Sequence, residues 1–557
     1  MMNRCGARRG LVALGLAATF AAAAAGAVAY RQSTPQATQP PQQQPAEIGP
    51  TQTIDWRSGA DPQGRPAGER PPNIVVILAD DLGWNDLSWL GGGVAGGTVP
   101  TPNIDSLARD GVHFANGYSA NGTCAPSRAA LMTGRYGTRF GFEFTPTPPG
   151  FATMVPRLSS TEGRLRQTSG NTEGASVPID EKGVPPSEIT LAELLKPAGY
   201  HTVHIGKWHL GVGDGMRAHE QGFDESLLMR SGLYLPEDDP NVVNSKQEFD
   251  GIDRFLWRFV RYEASFNDSP SFEPGGYLTD YYTDQAVQVI EANKDRPFLL
   301  YLAHWAVHTP LQALRADYEA LSHIEEHRLR VYAAMVRSLD RSVGRVLEAL
   351  RENGLEENTL VFFTSDNGAP AYIGLPRVNE PFRGWKISFF EGGIHVPFLL
   401  KWPARLSAGQ VYEDPVHGFD IFSTAAAAAG VDLPGDREID GVDLVPHVLG
   451  EVEGAPHDRL FWRTGDYQVV LADGWKLQVS EPPGGLWLFN MKKDPTEQHN
   501  LADSEPERVA ALKKLLAAHN EEQAPPIWPW ATRSPVNVDK TLLEPDAPDD
   551  EHIYWYN

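Results

Sequence analysis

Cysteine is almost absent. The 557 residues hold two, Cys5 and Cys124, and Cys5 lies in an N-terminal stretch expected to be removed. The remaining chain then has one thiol and no disulfide, so its stability must come from its core. Positive charge is also short: 48 Lys plus Arg face 72 Asp plus Glu, a formal charge of −24. Such an acidic surface argues against nucleic acid as a partner. It does not exclude a small anion, because a site can be locally positive. No internal repeat is visible, and one uncharged run stands out, from Gly10 to Tyr30.

Arg4, Arg8 and Arg9 precede that run, which ends in the small-x-small pattern Ala27-Val28-Ala29. Residues 1–30 are therefore predicted to be a secretory signal peptide, with an exported product, periplasmic or secreted. The alternative is an uncleaved membrane anchor; after cleavage no stable membrane insertion is expected. Residues 31–72, rich in Gln, Pro and Thr, read as a disordered linker that cannot form a core.

From Asn73 the pattern changes. Ile74-Val75-Val76-Ile77-Leu78-Ala79 is a continuous apolar run, the mark of a parallel strand buried on both faces, and it stops at Asp80-Asp81. Adjacent carboxylates at the end of a buried strand are costly unless a cation neutralises them, although a solvated turn would also tolerate them. The arrangement recurs. Thr190 and Glu193 form a capping box for a short helix. The strand from His201 runs into Gly206-Lys207-Trp208-His209, and Phe298 to Leu302 leads to His304 and His308. Ser322 to Asn353 carries an apolar stripe of helical period and feeds Thr359 to Thr364, which ends in Ser365-Asp366-Asn367-Gly368. Alternating strands and helices predict an α/β fold with a large, mostly parallel sheet flanked by helices. Polar residues gathered after the strands predict one site at their carboxyl ends.

A domain is thus expected over 73–450. A hairpin at 467–479, another strand at 486–489 and a helix from Glu505 predict a smaller C-terminal antiparallel-sheet subdomain over 451–525. Residues 526–557, acidic and Pro-rich, read as a loosely held tail in which Ile553 to Tyr556 could dock. Two segments without regular period, Thr145 to Pro185 and Pro236 to Gly276, are expected to roof the site.

The most informative stretch is Gly122-Thr123-Cys124-Ala125-Pro126-Ser127-Arg128, continuing to Leu131-Met132-Thr133-Gly134-Arg135. Pro126 suits a first helical turn, Ala129 to Met132 favour helix, and Gly134 is a natural stop. Cys124 is therefore expected at a helix N-terminus, where the dipole favours an anion, with Arg128 one turn along. Cys-x-Pro-Ser-Arg followed by Leu-x-Thr-Gly-Arg resembles the signature of the type I, formylglycine-dependent sulfatases of the alkaline-phosphatase-like superfamily, and the resemblance extends from Asn73 to about Leu501.

The resemblance implies a sulfuric ester hydrolase whose cysteine, Cys124, is oxidised to formylglycine by a separate maturation enzyme. It implies metal ligands at Asp80, Asp81, Asp366 and Asn367, with modified Cys124 completing the sphere. Oxygen ligands suit Ca²⁺, or Mg²⁺, and not zinc. By the same match Arg128 steadies the nucleophile, Lys207 and His209 flank the sulfate and the nucleophile, and Lys386 is the second sulfate-binding lysine. His308 contacts the ester and assists the leaving oxygen, with His304 as the alternative. One position departs: His395 stands where much of the family carries Arg. The sulfated alcohol is not named by the sequence; an aryl, saccharide or steroid sulfate all fit. A phosphomonoester or phosphonate hydrolase of the same superfamily, or an unmodified binding protein, are the rival readings.

Overall fold

A computed structural model describes residues 47–557 apart from 149, 160, 161, 167 and 481–483. The expected signal peptide, and the linker as far as residue 46, lie outside the described residues.

A nine-stranded mixed sheet forms the centre. Its strands run, edge to edge, Gln410–Tyr412, Val112–Phe114, Phe398–Lys401, Thr359–Ser365, Asn73–Ala79, Phe298–Ala303, His201–Gly206, Glu225–Met229 and Ala264–Phe266. Asn73–Ala79 is central and parallel to both neighbours, with Ala79 beside Ser365 and Leu78 beside Ala303. His201–Gly206 continues the parallel set, Gly206 beside Ala303. Four strands therefore release their polar followers at one edge.

The continuous apolar run follows from burial on both faces. Val75, Ile77 and Ala79 join the core under the helices Leu278–Ala292 and His327–Glu352, whereas Ile74, Val76 and Leu78 join a second core under Cys124–Thr133 and Asp420–Ala428. Each such aliphatic side chain contributes about 1.5–3 kcal/mol by leaving water. The long helix begins at His327 rather than at the expected Ser322. Glu326 caps it, accepting the Arg328 and Leu329 amides, and a separate helix, Arg315–Ala320, precedes it.

The C-terminal subdomain is a four-stranded antiparallel sheet, Arg459–Thr464, Tyr467–Ala472, Trp475–Ser480 and Leu486–Asn490, closed by the helix Pro506–Glu521. Two expectations need correction. Part of the 31–72 segment packs: Ile54 is buried, Trp56 Nε1 donates to Gln285 (2.9 Å), and the Gly49 amide donates to Ser271 (2.9 Å). A few apolar anchors and backbone bonds to the body suffice there. Nor is 526–557 a loose tail. Thr532–Asn537 and His552–Tyr556 form a sheet with Ser169–Gly170, because Ile553, Tyr554, Trp555 and Tyr556 all bury. The two aperiodic segments each contribute a helix, Phe151–Leu158 and Gly251–Phe259, which pack together through Phe151 and Phe255 (5.2 Å). Among the described residues no helix is long and apolar enough to cross a membrane.

Candidate active site

Cys124 opens the helix Cys124–Thr133, all ten residues of which are buried. Gly134 ends it at φ +70°, its amide bonded to Ala130 (2.9 Å); a β-carbon there would lie 2.4 Å from Phe422. The helix delivers Arg128 to the carboxyl edge of the sheet. There its guanidinium is fully buried, with Nε 2.9 Å and Nη2 2.7 Å from Asp366 Oδ2, Nη2 3.1 Å from Asp80 Oδ2, and Nη1 3.1 Å from the Lys207 carbonyl.

Asp81 takes the left-handed conformation, φ +60°, which an aspartate tolerates better than most residues. It receives Lys386 Nζ at 2.6 Å and Asn367 Nδ2 at 2.7 Å on Oδ1, and the Tyr372 hydroxyl at 3.1 Å on Oδ2. Its amide donates to Asp366 Oδ1 (3.3 Å). Lys207 Nζ lies 2.6 Å from Asp80 Oδ2. Cys124 Sγ completes the group, 3.2 Å from Lys386 Nζ, 3.6 Å from Asp80 and 3.9 Å from Asp81. Three carboxylates thus face one guanidinium and two lysine side chains in a buried space.

That balance governs protonation. Burial would raise the Asp80 carboxyl, but Lys207 and Arg128 hold it below its usual range. Burial would depress Lys386, but Asp81 holds it well above. Burial, helped by the Asp366 charge, pushes the Cys124 thiol up to about 12 against the pull of Lys207 and Lys386. At neutral pH the unmodified side chain is therefore a thiol, not a thiolate nucleophile.

His308 joins the cluster and His304 does not. His308 Nε2 is 3.5 Å from Asp81 Oδ2, Nδ1 bonds the Thr309 carbonyl (2.5 Å), and the ring stacks on Trp305 (3.9 Å). His304 is buried against Ser342 (2.9 Å). His209, at φ +63°, has a buried Nδ1 with no hydrogen-bond partner among the described residues. Burial, and then the nearby lysines, hold both His209 and His308 well below the usual imidazole range. The departing residue, His395, lies elsewhere: it bonds Glu391 (2.7 Å) and the Ala115 carbonyl (2.9 Å) and stacks on Phe382 (4.3 Å). Sequence reasoning missed Tyr372 and Trp305, the latter also lying under Lys207 Nζ at 4.6 Å. Neither carries a sequence signal beyond proximity to Asn367 and His308.

The cluster could hold a metal ion. Asn367 Oδ1 is buried without a hydrogen-bond partner among the described residues, an orphaned acceptor beside acidic oxygens. Ligand atoms of Asp80, Asp81, Cys124 and His308 all lie within 4.8 Å of one another.

A buried acid–cation cluster around a helix-terminal cysteine, at the carboxyl edge of a mostly parallel sheet, defines a hydrolase centre for an anionic ester. The sulfatase family model matches residues 72–431, and the chain belongs to that family of formylglycine-type enzymes within the alkaline-phosphatase-like superfamily; it is a sulfate ester hydrolase. N-acetylgalactosamine-6-sulfatase of Mus musculus is 38% identical over 415 residues, 73% of this chain and 71% of its own. Steryl-sulfatase of Mus musculus is 33% identical, covering 84% of each. Among solved structures, Ps i-CgsB in complex with k-i-k-neocarrahexaose matches with a TM-score of 0.67 and 29% identity, over 82% of this chain and 95% of that one.

Proposed function

We propose that this chain hydrolyses a sulfate monoester on a saccharide, with residue 124 as nucleophile. The observation that carries this reading is the geometry around residue 124: its Sγ lies 3.2 Å from Lys386 Nζ and 3.6 Å from Asp80, in a buried group where Asp80, Asp81 and Asp366 pair with Arg128, Lys207 and Lys386. Oxidised to formylglycine by a maturation enzyme, position 124 would supply a hydrated aldehyde oxygen. Asp80, Asp81, Asp366 and Asn367 would hold Ca²⁺, or Mg²⁺, which would add positive charge beside the reacting group.

The chain's own residues do the rest. Lys207 and Lys386 bind the sulfuryl oxygens and stabilise the charge spread over them during transfer. Arg128 orients Asp80 and Asp366 through its buried guanidinium. His308 has Nδ1–H fixed on the Thr309 carbonyl, which leaves Nε2 to exchange a proton. Burial first, and then the lysines, keep the imidazole neutral; a bound anionic ester offsets the lysines' share and favours the imidazolium, which protonates the leaving alcohol. His209, unpartnered at Nδ1 among the described residues, is assigned by the family resemblance to the sulfate and nucleophile. Support for the saccharide class comes from the likeness to N-acetylgalactosamine-6-sulfatase and to Ps i-CgsB, whose complex holds k-i-k-neocarrahexaose; the likeness to steryl-sulfatase is the counterweight.

In this reading residues 73–450 form the catalytic portion, 451–525 support it, and 1–30 direct export to the periplasm or beyond. Nucleic acid has no part in it. The test compares 4-nitrophenyl sulfate with 4-nitrophenyl phosphate at equal concentration, followed by a panel of sulfated sugars. Sulfate turnover should exceed phosphate turnover, and at least one sulfated sugar should be cleaved. A preference for phosphate would move the protein to the phosphomonoesterase or phosphonate hydrolase branch.

A further inference from the structure

Lys386 reaches both Asp81 and Cys124, yet the residue after it is in an unfavourable conformation. Ile387 has φ +83°, and β-branched side chains clash with their own backbone there. The turn is locked on one side by the nucleophile segment: the Ile387 amide donates to the Gly122 carbonyl at 2.6 Å, and a β-carbon on Gly122 would lie 2.6 Å from the Ser388 carbonyl oxygen.

The other side is held from the C-terminal sheet. The Phe389 amide donates to the Tyr467 hydroxyl (2.9 Å), and the two rings stack at 4.7 Å. The Glu391 amide donates to Glu497 Oε2 (2.6 Å), and Arg383 Nη1 donates to the Glu497 carbonyl (3.3 Å). These acceptors are themselves linked. The Tyr467 hydroxyl donates to Gln478 Oε1 (2.5 Å), Gln478 Nε2 donates to Glu497 Oε1 (2.7 Å), and Lys476 Nζ bridges Glu497 (3.0 Å) and Glu391 (2.6 Å). Tyr467, Lys476, Gln478 and Glu497 are all buried. A polar chain buried this deeply is costly unless fully paired, and here the pairing ends on backbone amides three and five residues after Lys386.

We propose that Tyr467 and Glu497 are positioning residues for Lys386: the buried chain on the antiparallel sheet grips residues 389–391, keeps Ile387 left-handed, and so holds the lysine on residue 124. The inference rests on the sulfatase reading for what Lys386 does, but the grip itself is independent of it.

Tyr467→Phe removes one hydroxyl and keeps the ring. It should lower kcat/KM for 4-nitrophenyl sulfate about tenfold, the scale of one lost buried hydrogen bond. In a Lys386→Ala background the same change should cost less than about twofold, while the fall in Tm is equal in both backgrounds. Equal activity losses in both backgrounds would overturn the proposal and leave a purely structural role. Glu497→Gln should repeat the pattern. Hydrogen exchange supplies a readout that needs no turnover: peptides covering 383–393 should exchange faster in both variants. Unchanged exchange there refutes the grip. Faster exchange in a protein whose wild type cleaves no sulfate ester would sustain the grip and refute the functional reading instead.

Discussion

Arg128 offers the most direct check on the electrostatic account of the site. It is fully buried and is shared by two carboxylates, but those carboxylates do not depend on it equally. Asp80 retains Lys207 at 2.6 Å when Arg128 is removed. Asp366 retains the Asp81 amide at 3.3 Å, a weak replacement for two contacts at 2.7 and 2.9 Å. Arg128→Ala should therefore strand Asp366 and cost about 3–5 kcal/mol, the usual price of breaking a buried pair from one side. Arg128→Lys should cost roughly half of that, because one ammonium can meet one carboxylate but cannot reproduce the guanidinium fork. Adding Asp366→Asn to Arg128→Ala should recover a large share of the loss by removing the stranded charge. Urea unfolding followed by the fluorescence of the 14 tryptophans, with a chelator present so that no cation compensates, measures all of these variants. Strictly additive losses in the double variant, or an Arg128→Lys variant as stable as wild type, would refute the reasoning.

Cys124→Ala should fold as wild type and lose all turnover, and peptide mass spectrometry of active enzyme should find formylglycine at position 124; fully active material carrying only cysteine would end the mechanism. Asp366→Ala should lose bound divalent cation and activity together, measured by elemental analysis beside turnover; an active, metal-free wild type would contradict the ligand assignment. Asp86 tests pH dependence, since burial pushes its carboxyl up to about 7, opposed by bonds from Tyr332 (2.6 Å) and the Gly83 amide (2.8 Å). The unfolded chain releases this proton near pH 4 and the folded chain near 7, so the group's contribution is complete below about pH 4 and is lost as pH rises to about 7. Asp86→Asn should accordingly gain on wild type by up to roughly 4 kcal/mol between pH 4 and 8; a difference in stability that does not change with pH would rule this out.

The parts of the site that could be read in advance have their cause encoded locally. Asp80-Asp81 and Asp366-Asn367 each follow an apolar run that only a doubly covered strand explains, and Cys124 sits between turn formers and helix formers. What escaped notice depends on partners far along the chain. Trp56 looks like part of a linker until Gln285, 229 residues away, accepts its indole N–H. The final aromatics look like a tail until Ser169–Gly170 supplies the third strand. Tyr372 gains meaning only from Asp81, and the left-handed turn at Ile387 only from Gly122 and Tyr467, none of which its own neighbourhood specifies. Glu326 as helix cap was hidden because the apolar stripe does not mark where the first amide is satisfied.

The pairing of Asn73–Ala79 with Thr359–Ser365 makes this centre divisible. A cut at the exposed step Ser322–His323 would leave one fragment with Asp80, Asp81, Cys124, Arg128, Lys207 and His308, and another with Asp366, Asn367 and Lys386. The cut would sever two buried ion pairs, Arg128 with Asp366 and Lys386 with Asp81, so that each half would lose partners only the other supplies. The central strands and their flanks also alternate between the halves, since Val112–Phe114 lies against Phe398–Lys401. Neither fragment could assemble the reactive centre alone, and recovered turnover on mixing them would report reassociation of the sheet directly, making the enzyme a split reporter of its own closure.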